Sequence, residues 1–83
     1  MEYFLKPIAL RSLRKLPRDI QKRIIEKLDF YCASENPLSN AERLTEKSLG
    51  DFRFRVGDYR ITFDIENQHI IVLLIKHRKD AYK

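Results

Sequence analysis

The sequence predicts an α+β fold with the element order β-α-α-β-β-β. This order comprises an N-terminal strand, a two-helix hairpin and a three-stranded antiparallel meander. We expect the strands to form an antiparallel sheet with the two helices packed on one face. Two observations lead to this prediction. Apolar residues recur at helical spacing in the first half of the chain, and they alternate with polar residues in the second half. The 83 residues are expected to form a single domain, residues 1–83, because a chain of this length supplies only one small core.

Prolines delimit the first three elements. Residues 2–6 are a strand candidate that Pro7 closes, because proline cannot donate to a ladder but suits the first turn of a helix. Pro17 ends that helix and begins the second one. Pro37 pushes the residue before it out of the helical region, so the second helix ends there, and residues 37–48 form a polar connection with a loop or short helix. The stripe that faces the sheet is Ala9, Leu13, Leu16, Ile20, Ile24, Leu28 and Tyr31.

The meander begins with two alternating runs, Phe52–Val56 and Tyr59–Glu66. Gly57-Asp58 lies between them, and glycine at the first central position suits a two-residue hairpin turn of type II′ or I′. Such a turn fixes the register of the hairpin, because each residue on one run then has a defined partner on the other.

This register gathers arginines on one side of the sheet. Arg55 lies opposite Arg60, and Arg53 lies opposite Thr62, so the three arginines share what we call the arginine face. Like charges opposite one another destabilise a sheet by about 0.2–1 kcal/mol per pair. Taken alone, Arg53 and Arg55 also fit the solvated side of an edge strand. With Arg60 added, the pattern favours a surface that binds an anion.

The last strand follows a second predicted turn at Asn67-Gln68. Residues 70–76 are apolar on both faces, which predicts a strand inside the sheet or covered by another segment. Alternation is expected to put Ile71, Leu73 and Ile75 on the arginine face. The orientation of His77 and Arg78 stays open, because alternation separates them and a bulge can shift the register.

Charge and composition restrict the function. A net charge of +5 and a pI near 9.6 favour a polyanion such as RNA, or an acidic protein that masks the basic surface. A basic surface that serves only solubility is the alternative. The single cysteine, Cys32, cannot form an internal disulfide and fits a reducing cytoplasm. We expect no membrane span, no cofactor and no metal site, since no acidic or His/Cys cluster has suitable spacing.

Several motifs resemble the RelE-type toxins of the RelE/ParE superfamily, the mRNA-cleaving partners in toxin–antitoxin pairs. The resemblance lies in Leu49-Gly50, in the Arg-x-Arg of Arg53 and Arg55, in the block Val-Gly-Asp-Tyr-Arg-Ile at residues 56–61, and in the ending His-Arg-Lys-Asp-Ala-Tyr at residues 77–82. It covers the last strands strongly and the helices by pattern alone. The family fold it implies agrees with the element order predicted above.

The resemblance also implies site residues. Arg53, Arg55, Arg60, Arg78 and Tyr82 fall where RelE-type toxins carry their phosphate-binding and catalytic residues. We assign Arg60, Arg78 and Tyr82 to catalysis, with Tyr82 stacking on or orienting a base, and Arg53, Arg55 and Lys79 to substrate binding.

Proton transfer requires a further residue. One well-known pattern of the family has lysines at the positions of Arg53 and Arg55, and arginine is a poor proton acceptor because its pKa exceeds about 12. His77, with an unperturbed pKa near 6.5, is therefore the predicted general acid or base. The alternative is that His77 caps the strand or contacts RNA passively.

The function that the resemblance implies is a metal-free endoribonuclease that cleaves mRNA in the ribosomal A site by 2′-hydroxyl attack. Its expected partners are mRNA on the ribosome and a cognate antitoxin that wraps the basic face, with a toxin–antitoxin hetero-oligomer as the assembly. Two alternatives stay open: a ParE-like DNA gyrase inhibitor without nuclease chemistry, and a non-catalytic basic RNA-binding module.

Overall fold

The computed structural model describes residues 1–45 and 50–81. The strands are β1 (Glu2–Leu5), β2 (Glu42–Arg43), β3 (Phe52–Val56), β4 (Tyr59–Glu66) and β5 (His69–His77). The helices are α1 (Pro7–Arg14), α2 (Arg18–Ala33) and α3 (Arg78–Ala81), and a 3₁₀ helix spans Pro37–Asn40. Among the described helices, none has the length and apolar character needed to cross a membrane.

The five strands form one sheet in the order β1-β5-β4-β3-β2. The predicted α+β order and the meander are confirmed, and β5 lies inside the sheet as its apolar faces indicated. The expectation of a wholly antiparallel sheet is wrong, because β1 pairs with β5 in parallel, with Glu2 beside His69 and Leu5 beside Val72. The two-residue strand β2, which pairs antiparallel with β3, was not predicted.

One face of the sheet carries the core. Phe54, Phe63 and Val72 are fully buried there, and the Tyr31 ring of α2 lies 4.6 Å from the Phe54 ring, between centroids. Burying an aliphatic or aromatic side chain stabilises a fold by about 1.5–3 kcal/mol. The packing of the helices against these sheet residues is therefore a principal source of stability. We call this side the helix face. The helix residues buried against it are Ala9, Leu13, Ile24, Leu28 and Cys32.

The first hairpin has the predicted register. Val56 pairs with Tyr59, Arg55 with Arg60, and Arg53 with Thr62. Gly57 has φ of +58°, which suits the first central position of the predicted turn. Arg55 and Arg60 therefore lie side by side on the arginine face.

A β-bulge changes the register between β4 and β5. The irregularity lies at Thr62 and Phe63, so that Thr62 pairs with Leu74 whereas Phe63 pairs with Val72. Leu73 is the extra residue, and the residues after it change sides. Ile75 pairs with the buried Ile61 and lies on the helix face, so its predicted position on the arginine face is wrong. The residues of β5 that share the arginine face beside Arg60 and Thr62 are Lys76 and Leu74.

The second hairpin turn gives the first testable prediction. Asn67 has φ of +50° and Gln68 has φ of +65°, the two positive values of a type I′ turn. Glutamine is poorly suited to the left-handed region, which costs an L-residue about 1–2 kcal/mol, whereas glycine adopts it freely. Gln68→Gly is therefore expected to stabilise the fold by about 0.5–1 kcal/mol, less than the strain because glycine also loses more entropy. Urea denaturation measures the change, and a destabilisation would contradict the turn geometry.

Candidate functional site

The arginine face brings together the three arginines that the sequence predicted. Arg60 on β4 lies between Arg55 of β3 and Lys76 of β5. Arg60 is only 9% exposed, and the side chains of Arg53 and Arg55 are 19% and 54% exposed. Burying a guanidinium is unfavourable unless a charge or hydrogen bond compensates for it. Of the three arginines on this face, Arg60 is the least exposed to solvent.

Glu42 completes this cluster, and the sequence analysis missed it. Its carboxylate accepts a hydrogen bond from Arg53 Nη2 at 2.6 Å through Oε2 and lies 2.6 Å from Arg55 Nε through Oε1. The hydrogen bond from Arg53 is the main reason that the pKa of Glu42 lies below its usual value. Burial is the next largest cause and opposes this shift, whereas the positive charges of Arg53, Arg55 and Arg60 act in the same direction as the hydrogen bond. Glu42 is therefore ionised at neutral pH.

Several donors on this face have no acceptor among the described residues. Arg53 Nε, Arg60 Nε and Thr62 Oγ1 are buried and make no hydrogen bond there. Buried polar atoms in folded proteins nearly always have a partner, so an orphaned group calls for a specific explanation. Guanidinium N–H groups form their strongest hydrogen bonds with carboxylate and phosphate oxygens, so an oxyanion is the acceptor that best suits these two nitrogens.

His77 lies on the other side of the sheet. It pairs with Tyr59, which pairs with the buried Val56, so His77 belongs to the helix face. Its ring meets that of Tyr59 edge to face, with 5.2 Å between centroids, and its Nδ1 accepts a hydrogen bond from the backbone N–H of Lys79 at 3.2 Å. The two rings line a cleft of about 490 Å³ together with Ser12, Lys15, Leu16, Ile75 and Lys76. The structure therefore does not bring His77 onto the arginine face.

The remaining predicted residues lie at the end of β5. The backbone N–H of Arg78 donates to the Asp58 carbonyl at 2.7 Å, and Arg78 Nε lies 3.8 Å from Asp58 Oδ1. These contacts hold Arg78, the first residue of α3, against the turn between β3 and β4. Lys79 is exposed beside it. Tyr82 lies outside the described residues.

The chemistry that this arrangement offers is recognition of phosphate. Guanidinium groups stay charged and match phosphate oxygens in pairs. Within residues 1–45 and 50–81, no three His, Cys, Asp or Glu side chains are grouped to hold a metal ion.

Comparison with known proteins gives consistent matches. Residues 3–82 match the family model described as the ParE toxin of the type II toxin–antitoxin system parDE. Toxin RelG of Mycobacterium tuberculosis is 34% identical over 77 residues, which cover 90% of this chain and 87% of that protein. Toxin RelE3 of Methanocaldococcus jannaschii is 33% identical over 76 residues, covering 88% and 85%.

A solved structure agrees with these matches. The toxin–antitoxin complex RelBE2 of Mycobacterium tuberculosis contains a chain that is 29% identical to this one, with a TM-score of 0.77. The match covers 93% of this chain and 96% of that chain. Sequence, family model and fold therefore agree along nearly the whole length, and the chain belongs to the RelE/ParE superfamily of type II toxin–antitoxin toxins.

Proposed function

We propose that this toxin is an endoribonuclease that cleaves mRNA in the ribosomal A site and so inhibits translation. The observation that carries the proposal is the buried Arg60, held beside Arg53 and Arg55 with its Nε unpartnered. A surface that only attracts a polyanion relies on exposed charge, whereas Arg60 is buried. A cation fixed in a site of low solvent access stabilises charge that develops on a reacting phosphate.

The proposed reaction uses the 2′-hydroxyl of the ribose as nucleophile against the adjacent phosphodiester. The 2′-oxygen forms a bond to phosphorus, the bond to the 5′-oxygen breaks, and the 2′-hydroxyl proton must leave while the 5′-oxygen gains one. Arg60 would stabilise the added charge on the phosphorane, and Arg53 and Arg55 would hold the neighbouring phosphate oxygens. Arg78 and Lys79 would bind the RNA strand at the end of β5, and Tyr82 would orient a base.

Proton transfer has two candidates in this proposal. His77 carries an imidazole, the side chain most often used for proton transfer, but reaching it requires the RNA to pass round the end of β5 to the helix face. Glu42 is the carboxylate among the arginines, but the hydrogen bond from Arg53 lowers its pKa, which makes it a weak proton acceptor. His77 is therefore the proposed general acid or base, since it offers a chemistry that arginine does not.

The proposed partners follow from size and charge. A protein of 83 residues cannot surround its substrate, so the ribosome would supply the remaining contacts to mRNA. The related M. tuberculosis structure is a toxin–antitoxin complex, which supports a cognate antitoxin for this chain. A net charge of +5 favours an acidic segment that covers the arginine face and blocks RNA. The cytoplasm is the proposed compartment, because ribosomes and mRNA are there.

The test is primer extension on an mRNA bound to programmed ribosomes with an empty A site. Wild-type protein is expected to produce sharp A-site cuts. His77→Ala is expected to reduce them by about 10²–10⁴-fold, the usual contribution of a general acid or base. His69→Ala is the matched control, because His69 lies at the opposite end of β5.

The main alternative is a gyrase inhibitor of the ParE type, which the name of the matching family model favours. It predicts no cuts by folded wild-type protein and a loss of supercoiling in an assay with purified gyrase. Salt-sensitive RNA binding with neither effect would instead indicate a non-catalytic RNA-binding module.

A further inference from the structure

Glu42 occupies the position on the arginine face that an oxyanion ligand would need. One carboxylate bridges two arginines at 2.6 Å each, with one oxygen on Arg53 and the other on Arg55. A phosphodiester also offers two charged oxygens on one centre, so it would compete for the same two guanidinium groups. We propose that Glu42 is the resident counter-ion of this site and that a phosphodiester of single-stranded RNA displaces it. The choice of RNA as the ligand rests on the proposed function.

The donors that have no acceptor indicate that the ligand makes more than one hydrogen bond on this face. Arg53 Nε and Arg60 Nε stay without an acceptor, while the two oxygens of Glu42 contact Arg53 Nη2 and Arg55 Nε. A phosphodiester presents two non-bridging oxygens, each with several lone pairs, and neighbouring phosphates along the strand add more. RNA would therefore satisfy donors that a single carboxylate leaves orphaned.

The placement of Glu42 makes the exchange feasible. Its side chain is 43% exposed, and it projects from β2, a strand of only two residues at the edge of the sheet. Arg53 and Arg60 lie on longer inner strands whose partners on both sides fix their position. The carboxylate can therefore turn into solvent while the arginines stay in place.

This arrangement has a functional consequence. With Glu42 in place, the cluster of Arg53, Arg55 and Arg60 presents a lower charge to solvent, so weak anions gain little by binding. A ligand that binds must exchange its hydrogen bonds for those of Glu42, which selects anions that make several contacts together. Glu42 thus determines how strongly an anion must bind before it can displace the carboxylate from the arginines.

The test measures binding separately from cleavage. The probe is a fluorescent single-stranded RNA with 2′-O-methyl riboses, which lacks the nucleophile, and anisotropy reports its affinity for the free protein. Glu42→Gln is expected to bind about tenfold more tightly, because the phosphate no longer has to break charge-assisted hydrogen bonds. For Glu42→Gln, the slope of log K against the logarithm of the salt concentration is expected to become steeper by roughly 0.7, since one more positive charge faces the strand.

The matched control is Glu35→Gln, which removes the same charge at an exposed position in the connection after α2. Equal affinities and salt slopes for Glu42→Gln and Glu35→Gln would overturn the proposal, because the effect would then be one of net charge. If Glu42→Gln does not fold, Glu42→Asp replaces it: a carboxylate shortened by one methylene cannot hold both arginines, and intermediate affinity is expected.

The outcomes for binding and cleavage separate the two proposals. Tighter binding by Glu42→Gln with no cleavage by wild-type protein would support the counter-ion and refute the nuclease. A-site cleavage by wild-type protein with unchanged binding by Glu42→Gln would support the nuclease and refute the counter-ion.

Discussion

Arg60→Ala is expected to lower the rate of mRNA cleavage on programmed ribosomes by about 10²–10³-fold, the usual cost of removing one preorganised donor to a developing oxyanion. Arg60 is the buried cation of this face, whereas its neighbours Arg55 and Lys76 are more exposed to solvent and are not fixed at the same depth. Arg60→Lys keeps the charge but loses the planar fork, and it is expected to recover only part of the rate. Single-turnover primer extension at saturating toxin measures both variants.

The matched control for Arg60→Ala is Arg43→Ala. Arg43 lies on β2 in the same sheet, but it pairs with Phe52, and its guanidinium lies 5.9 Å from the Phe52 ring centroid. Phe52 stacks on the buried Phe63, which puts Arg43 on the helix face. Both variants remove one positive charge from the sheet. Equal losses for the two would refute a specific role of Arg60 and indicate that cleavage responds to net charge alone.

Local patterns in the sequence were sufficient for most of the fold. Alternation in Phe52–Val56 and a glycine suited to the turn determined the register of β3 and β4, because side-chain period and turn length leave few other solutions. Prolines marked the starts of α1 and α2 because their effect on the backbone is local, whereas α1 ends at Arg14 and α2 at Ala33, each a few residues before the next proline. The arginine face followed from the alternation and the turn.

Non-local features were not predictable from the same patterns. The parallel pairing of β1 with β5 joins residues at opposite ends of the chain, and no local signal encodes it. The bulge that moved Ile75 to the helix face leaves no mark in a run that is apolar on both sides. His77 lies beyond that bulge, so its face could not be deduced either.

Glu42 was missed for a related reason. A strand of two residues is too short to show alternation, and its pairing with β3 spans a connection whose length sets no register. The signal that could have identified it was electrostatic. Three arginines gathered on one face require a nearby carboxylate or a bound anion, and Glu42 lies in the connection that leads to β3.

Phe63→Ala is expected to destabilise the fold by about 3–5 kcal/mol. Phe63 is fully buried, and its ring stacks between Phe54 and Phe52, with centroids 4.4 Å and 5.6 Å away. Truncation removes these contacts and leaves a cavity. The backbone cannot move to fill it, because β4 is hydrogen-bonded to β3 on one side and to β5 on the other. Native domains have free energies of unfolding of about 5–15 kcal/mol, so much of the stability of a small domain would be lost. Urea denaturation followed by circular dichroism measures the change.

Phe30→Ala is the matched control for Phe63→Ala, because the Phe30 side chain on α2 is 64% exposed. The same truncation there is expected to change the free energy of unfolding by no more than about 0.5 kcal/mol. A loss below about 1 kcal/mol in Phe63→Ala would contradict its place in the core. The comparison also separates two ways of losing activity, because Phe63 and Arg60 project from opposite faces of β4. Phe63→Ala would lose cleavage in proportion to its unfolded fraction, whereas Arg60→Ala would lose cleavage while folded.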